Sequence, residues 1–171
     1  MAMYLANVKE VTAIYTSPLL RAVQTAEAVA AYHRLTFEAS PELNDFDYGE
    51  WQGLSYPEVK VRYSVLCSEW ANNPQTVRMP KGENLEDVRR RALYLIDRIT
   101  TGGTAILISH RIVHKVLICA LMGLDNSHIW NVRMDLCGVT TFSHVNNRFT
   151  LVKHNDTCFL GPSVAISLSD F

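Results

Sequence analysis

The sequence predicts an α/β fold built on a mostly parallel sheet, and three observations carry that expectation. The first is Ala105-Ile106-Leu107-Ile108-Ser109, a short and nearly all-apolar run of the kind buried on both faces of a parallel sheet. The second is the segment behind it, where Ile112, Val113, Val116, Leu117, Ala120 and Leu121 keep helical spacing up to Gly123, a residue suited to a helix C-terminus. The third is another strand-to-helix junction near the start of the chain. There Val11–Thr16 has the β-branched and aromatic content of a strand, and Ser17-Pro18 supplies an N-cap and a first helical residue.

His110 falls between the later strand and its helix, at the carboxyl end of the strand, where open α/β sheets bind their ligands. Helix amides at such a place favour an anion, phosphate above all. The alternative is a histidine simply packed at a strand end. At the earlier junction the helix runs through LLRAVQTAEAVAAY, with Leu19, Val23, Ala26 and Ala30 on one face, and it carries Arg21 in its first turn. A guanidinium there can hold two phosphate oxygens. For one arginine taken alone, a solvated surface role is the simpler reading.

Residues 35–39 read as a short second strand. The segment from Glu42 to Gly53, ELNDFDYGEWQG, is too acidic and too aromatic for an ordinary connector, and loops that carry chemistry have this look. A carboxyl set among Phe46, Tyr48 and Trp51 would have its ionised form disfavoured, as a general acid requires; solvated acids beside core-closing rings are the competing reading. Ser55 and Pro57 open a helix expected to run unbroken to about Trp70, with Val59, Tyr63, Leu66 and Trp70 inward. Asn84 and Asp87 form a capping-box start worth about 1 kcal/mol. The helix they open, to about Ile99, should bury Leu85, Val88, Ala92, Leu95, Ile96 and Ile99 and leave Arg89, Arg90 and Arg91 as a solvated face. Thr101-Gly102-Gly103 ends it. Asn126-Ser127 can cap a short helix, 138–145 and 148–154 read as a hairpin at the sheet's edge around Asn146-Asn147, and 156–171 has no clear period.

Composition narrows the function. One domain, 1–171, is the natural reading of the length. A net charge of −1 and a pI near 6.6 give no basic footprint for nucleic acid or for an acidic membrane surface. No apolar run approaches a membrane span, and no signal-peptide pattern is present. The four cysteines lie far apart without a C-x-x-C pair, which fits reduced thiols in a cytoplasmic protein. His110 and His114 lie four apart on one helix face, but no acidic residue follows the first of them, so a metal site is not expected.

Four motifs in order, Ser17-Pro-Leu-x-Arg21-Ala-x-x-Thr-Ala26, Leu43-x-Asp45-x-Asp47-Tyr-Gly-x-Trp-x-Gly53, Pro80-x-Gly-Glu83 and Ser109-His110, resemble the histidine phosphatases, the superfamily of cofactor-dependent phosphoglycerate mutase. The resemblance implies a three-layer α/β/α fold with a mostly parallel mixed sheet, and phosphoryl transfer from small phosphomonoesters through a phosphohistidine. No cofactor or metal is implied. It places Ser17, Arg21 and His110 in the phosphate pocket, with Arg111 a further phosphate or substrate contact where the family often has Gly. Asp45 stands at the proton donor, one methylene shorter than the usual Glu, so Asp47 and Glu50 stay open as substitutes. The short span between Gly53 and Pro80 favours the broad phosphatase branch over a glycolytic mutase.

The family's attacking histidine belongs to an Arg-His-Gly motif at the end of its first strand, and this chain contains no Arg-His-Gly. Residues 3–8 resemble the end of the family's first helix, since a strand over residues 1–6 would need a parallel crossover of a dozen or more residues and only a handful separate Ala6 from Val11. The expectation is a member without its first strand, inactive alone, with an unpaired strand edge that is taken by a second copy, leaves the chain marginally stable or is filled by other residues. The alternative is a non-catalytic phosphate- or partner-binding protein.

Overall fold

The computed structural model describes residues 1–99 and 102–161. Its centre is a three-stranded parallel sheet of β1 (Val11–Thr16), β2 (Glu38–Ala39) and β3 (Thr104–Ile108), in the order β2-β1-β3. Register decides what this sheet can do. Thr16 pairs with both Ala39 and Ile108, so all three strands finish level. The Ser17 amide donates to the Ile108 carbonyl at 2.9 Å and the Ser40 amide to that of Thr16 at 2.8 Å, which carries the pairing one residue further. The segments that leave the strands therefore start side by side at one end of the sheet.

Helices cover both faces. On one, α1 (Ala2–Leu5) and α2 (Leu20–His33) bring Leu5, Val29 and Ala30 against Ile14, Ile106 and Ile108. Leu107, pointing the other way as strand alternation requires, joins a larger core. That core is formed by α3 (Tyr56–Arg62), α4 (Ser64–Asn72), α5 (Leu85–Arg98) and α6 (Arg111–Leu121), around Trp70, Leu85, Val88, Val113 and Val116. The three layers are those the sequence implied.

The hairpin of β4 (Val139–Val145) and β5 (Arg148–Asp156) turns at Asn146-Asn147, both with positive φ (51° and 57°), the backbone that a two-residue hairpin turn demands and that asparagine tolerates. It does not extend the parallel sheet: among the described residues its strands pair only with each other. Consequently β3 is not buried on both faces as its apolar sequence led one to expect. All five of its residues are half-exposed, because β1 is its only strand partner among the described residues.

Other elements differ from expectation for local reasons. Helix α2 begins at Leu20, with Leu19 as its extended N-cap, since the Ser17 hydroxyl is engaged by His110 and by the Leu19 amide (3.3 Å). The long helix expected over 55–70 breaks at Tyr63 (φ −130°, ψ 42°), whose phenol reaches Glu50 at 3.0 Å. The break re-phases the second half, so Cys67 rather than Leu66 is buried beside Trp70. Asp125, not Asn126 or Ser127, caps the 3-10 turn Asn126–Asn131 by accepting the Ser127 amide at 2.9 Å. The capping box of α5 forms as read, with Asn84 Oδ1 accepting from the Asp87 amide at 2.8 Å. Residues 2–5 are helical. Thr101 and 162–171 lie outside the described residues.

Candidate functional site

Four of the residues singled out in the sequence meet at the level strand ends. His110 follows β3 with extended backbone (φ −123°, ψ 161°) as the N-cap of α6, and it is 8% exposed. Ser17 follows β1 and is fully buried behind the imidazole, its Oγ 2.9 Å from His110 Nε2. Arg21, in the first turn of α2, donates from Nε to His110 Nδ1 at 3.3 Å and from a terminal nitrogen to Asp45 Oδ2 at 2.6 Å. Asp45 Oδ2 is itself 3.3 Å from His110 Nδ1. Its other oxygen accepts the Phe46 amide at 2.9 Å.

The hydrogen positions follow from chemistry. Arginine nitrogens only donate, so Nδ1 accepts from Arg21, and the imidazole hydrogen sits on Nε2, donated to Ser17. This neutral ring agrees with its surroundings. Burial lowers the His110 pKa, Asp45 pulls it up, and the charges of Arg21 and Arg91 lower it again. The Arg21 guanidinium is mostly exposed and faces out over Asp45. An arriving dianion can compete with that carboxylate for the guanidinium.

The other two acids of the loop are committed elsewhere. Asp47 accepts from the Gly49 amide (2.8 Å) and Gln52 (2.6 Å); Glu50 accepts from Lys81 (2.8 Å) and Tyr63 (3.0 Å). Of the three, Asp45 is the one that reaches Arg21 and His110. The loop's fold requires Gly49 (φ 55°): a Cβ there would stand 2.0 Å from the Pro80 carbonyl oxygen. Arg111 opens α6 on the side of Asp135, whose carboxyl Arg133 and Asn155 hold below the usual range with a smaller contribution from Arg111.

The arginines of α5 are not the solvated face expected of them. Arg90 is exposed and pairs with Asp87. Arg89 reaches the Leu124 carbonyl at 2.8 Å, and Arg91 folds inward onto Glu83 and the acid-bearing loop. The signal for Arg91 was its phase: it lies three residues after Val88 and four before Leu95, on the buried stripe of the helix. A surface cleft of about 580 Å³ between the hairpin turn and the end of α6 includes none of the four clustered residues.

His114, one turn beyond His110, has its pKa lowered to about 4 by burial and by the neighbouring ring. The unfolded chain takes up this proton near pH 6.5 and the folded chain only near 4, so stability is lost as pH falls through that window. Thermal melts from pH 7 to 4.5 should decline less steeply for His114→Gln; equal slopes would remove His114 as a cause.

The carboxyl ends of parallel strands, where this arginine, histidine and acid meet, are where open α/β sheets bind their ligands. The model of the histidine phosphatase superfamily (branch 1) matches residues 1–157, and the chain belongs to that family. It is 28% identical over 151 residues to phosphoserine phosphatase 1 of Hydrogenobacter thermophilus, covering 86% of this chain and 72% of that one. Against the adenosylcobalamin/alpha-ribazole phosphatase of Escherichia coli it is 25% identical over 143 residues, covering 82% and 70%. Among solved structures, YhfR of Bacillus stearothermophilus superposes with a TM-score of 0.84 at 26% identity, covering 91% of this chain and 80% of that one. Both of these curated relatives are named as phosphatases, and the fold is that of YhfR.

Proposed function

We propose that the site binds the phosphate of small phosphomonoesters, with Arg21 as its donor, His110 joining it by taking up a proton on Nδ1 as the phosphate displaces Arg21 Nε from that nitrogen, Ser17 fixing the His110 ring and Asp45 placed to protonate a leaving oxygen. The observation that carries this reading is the convergence of Arg21, Asp45 and His110 on one another at the level ends of β1 and β3. Arg111 is a contact for the rest of the substrate on the α6 side of the pocket.

The family reaction also needs a histidine whose neutral ring attacks phosphorus in line. Of the six histidines in the sequence, His110 is held from both nitrogens and the others are placed elsewhere. His33 meets the Leu5 carbonyl, His128 sits beside Asp125, His144 stacks on Phe149, His154 faces Thr140, and His114 is a turn down α6. On this reading the polypeptide binds phosphate without turning its ester over. A second reading, a non-catalytic partner-binding protein, draws on the outer edge of β3, which has no strand partner among the described residues and where a second copy could add a strand. The unpaired cysteines fit a reducing compartment such as the cytoplasm.

Calorimetric titration with inorganic phosphate at pH 7 tests the site. Saturable binding is expected, weakened about 10- to 100-fold in Arg21→Ala because a charge-assisted pair of hydrogen bonds is lost. Equal affinity in that variant would sink the assignment.

A further inference from the structure

The acid-bearing loop is gripped from behind by an ion pair that touches neither His110 nor Arg21. Arg91, on the buried face of α5, donates to both oxygens of Glu83 (2.9 and 3.1 Å). With its remaining hydrogens it donates to two loop carbonyls, Glu42 at 2.7 Å and Asp45 itself at 3.2 Å. Glu83 completes the grip: its Oε2 accepts the Asp47 amide at 3.1 Å, and its own amide donates to the Asp47 carbonyl at 3.0 Å. The pair thus holds the backbone at residues 42, 45 and 47, on both sides of the Asp45 side chain. Both side chains are about four-fifths buried, so the guanidinium has given up water for these partners.

We infer that Arg91 is a positioning residue: its guanidinium, clamped by Glu83, fixes the loop backbone so that the Asp45 carboxylate stands against His110 and Arg21. A fork geometry is required, because four acceptors lie in different directions around one planar cation. Lysine keeps the charge but presents a single ammonium on a flexible stem and cannot span them. The Ser109 hydroxyl, donating to the Leu43 carbonyl at 2.8 Å, ties the same loop to the end of β3 but leaves the Asp45 backbone unheld. This inference rests on the reading of Asp45 as the acid of the phosphate site.

The test is the titration of the His110 ring by NMR in the full chain, with its resonances identified as those lost in His110→Asn. The charged groups acting on that ring are Asp45 from the loop, Arg21 from α2 and Arg91 from α5, and His114 lies one turn along its own helix. Asp45→Asn is expected to lower the His110 midpoint by about one unit, the ordinary effect of removing an adjacent opposite charge. Arg91→Lys leaves the charge in place, so any fall reports movement of Asp45. It should reach at least half the Asp45→Asn shift and vanish in the double variant. A folded Arg91→Lys protein with the wild-type midpoint overturns the inference. Should Arg91→Lys not fold, Glu83→Gln takes its place, with a shift in the same direction expected and no shift overturning it. If Asp45→Asn itself leaves His110 unmoved, the reading of Asp45 fails, and the role of Arg91 with it.

Discussion

Purified protein given p-nitrophenyl phosphate at mildly acidic pH is expected to release nitrophenol no faster than its His110→Ala variant. Removing the nucleophile of a well-studied hydrolase costs on the order of a million-fold in kcat, enough to bring hydrolysis to background. On the proposed reading His110 does not step in. Its Nε2 is spent on a buried serine, and Nδ1 already faces the acid at 3.3 Å. In-line transfer puts phosphorus and the leaving oxygen between nucleophile and acid, a separation of roughly 7 Å once a near-attack distance and one hydrogen bond are counted. Nucleophile and acid cannot be the two groups that touch here. Turnover by the wild-type chain above the His110→Ala rate would show that the ring does attack, and acid-labile phosphate trapped on the protein would locate it.

What the sequence disclosed about this site and what it hid follow one physical division. The positions of Ser17, Arg21 and His110 were legible, since all three sit at strand-to-helix junctions, and a junction is a local pattern of β-branched residues, caps and helical spacing. The α/β class was legible for the same reason, through the all-apolar run of β3 and the apolar stripes of α5 and α6, while the three layers came from the resemblance. Contacts made across the fold were not. Nothing near Tyr63 announces that its phenol will meet Glu50 and break a helix, and nothing near Arg91 names Glu83 and two loop carbonyls as its partners. Three consecutive arginines look alike on a page. Their helical phases separate them: Arg90 points to solvent while Arg91 shares the stripe of Val88 and Leu95.

β3 shows the other kind of miss. Its apolar composition reports the environment the strand is suited to, and burial depends on what lies at both of its edges. With β1 on one side and no strand partner among the described residues on the other, Ile106, Leu107 and Ile108 stay half-exposed despite a sequence suited to a sheet interior.

Trp70→Ala is expected to lower unfolding free energy by about 3–5 kcal/mol, the usual range for emptying a large buried aromatic, and a sizeable part of the 5–15 kcal/mol that holds a typical domain together. Trp70, 2% exposed, stacks on Phe46 (centroids 5.3 Å apart, planes 11° apart) and meets Trp130 edge-on at 5.3 Å. Phe46 is the residue after Asp45, so the same change should loosen the acid. Trp70→Phe should behave differently. The indole Nε1 of Trp70 is buried and has no hydrogen-bond acceptor among the described residues, a donor whose lost hydration costs about 1–3 kcal/mol. Phenylalanine keeps a ring against Phe46 and removes that donor, so the area lost and the penalty relieved offset each other to within about 1 kcal/mol. Urea unfolding of the two variants decides the matter. If Trp70→Phe proves as damaging as Trp70→Ala, the six-membered ring is not what supports Phe46, and the link from this core to the acid loop is broken.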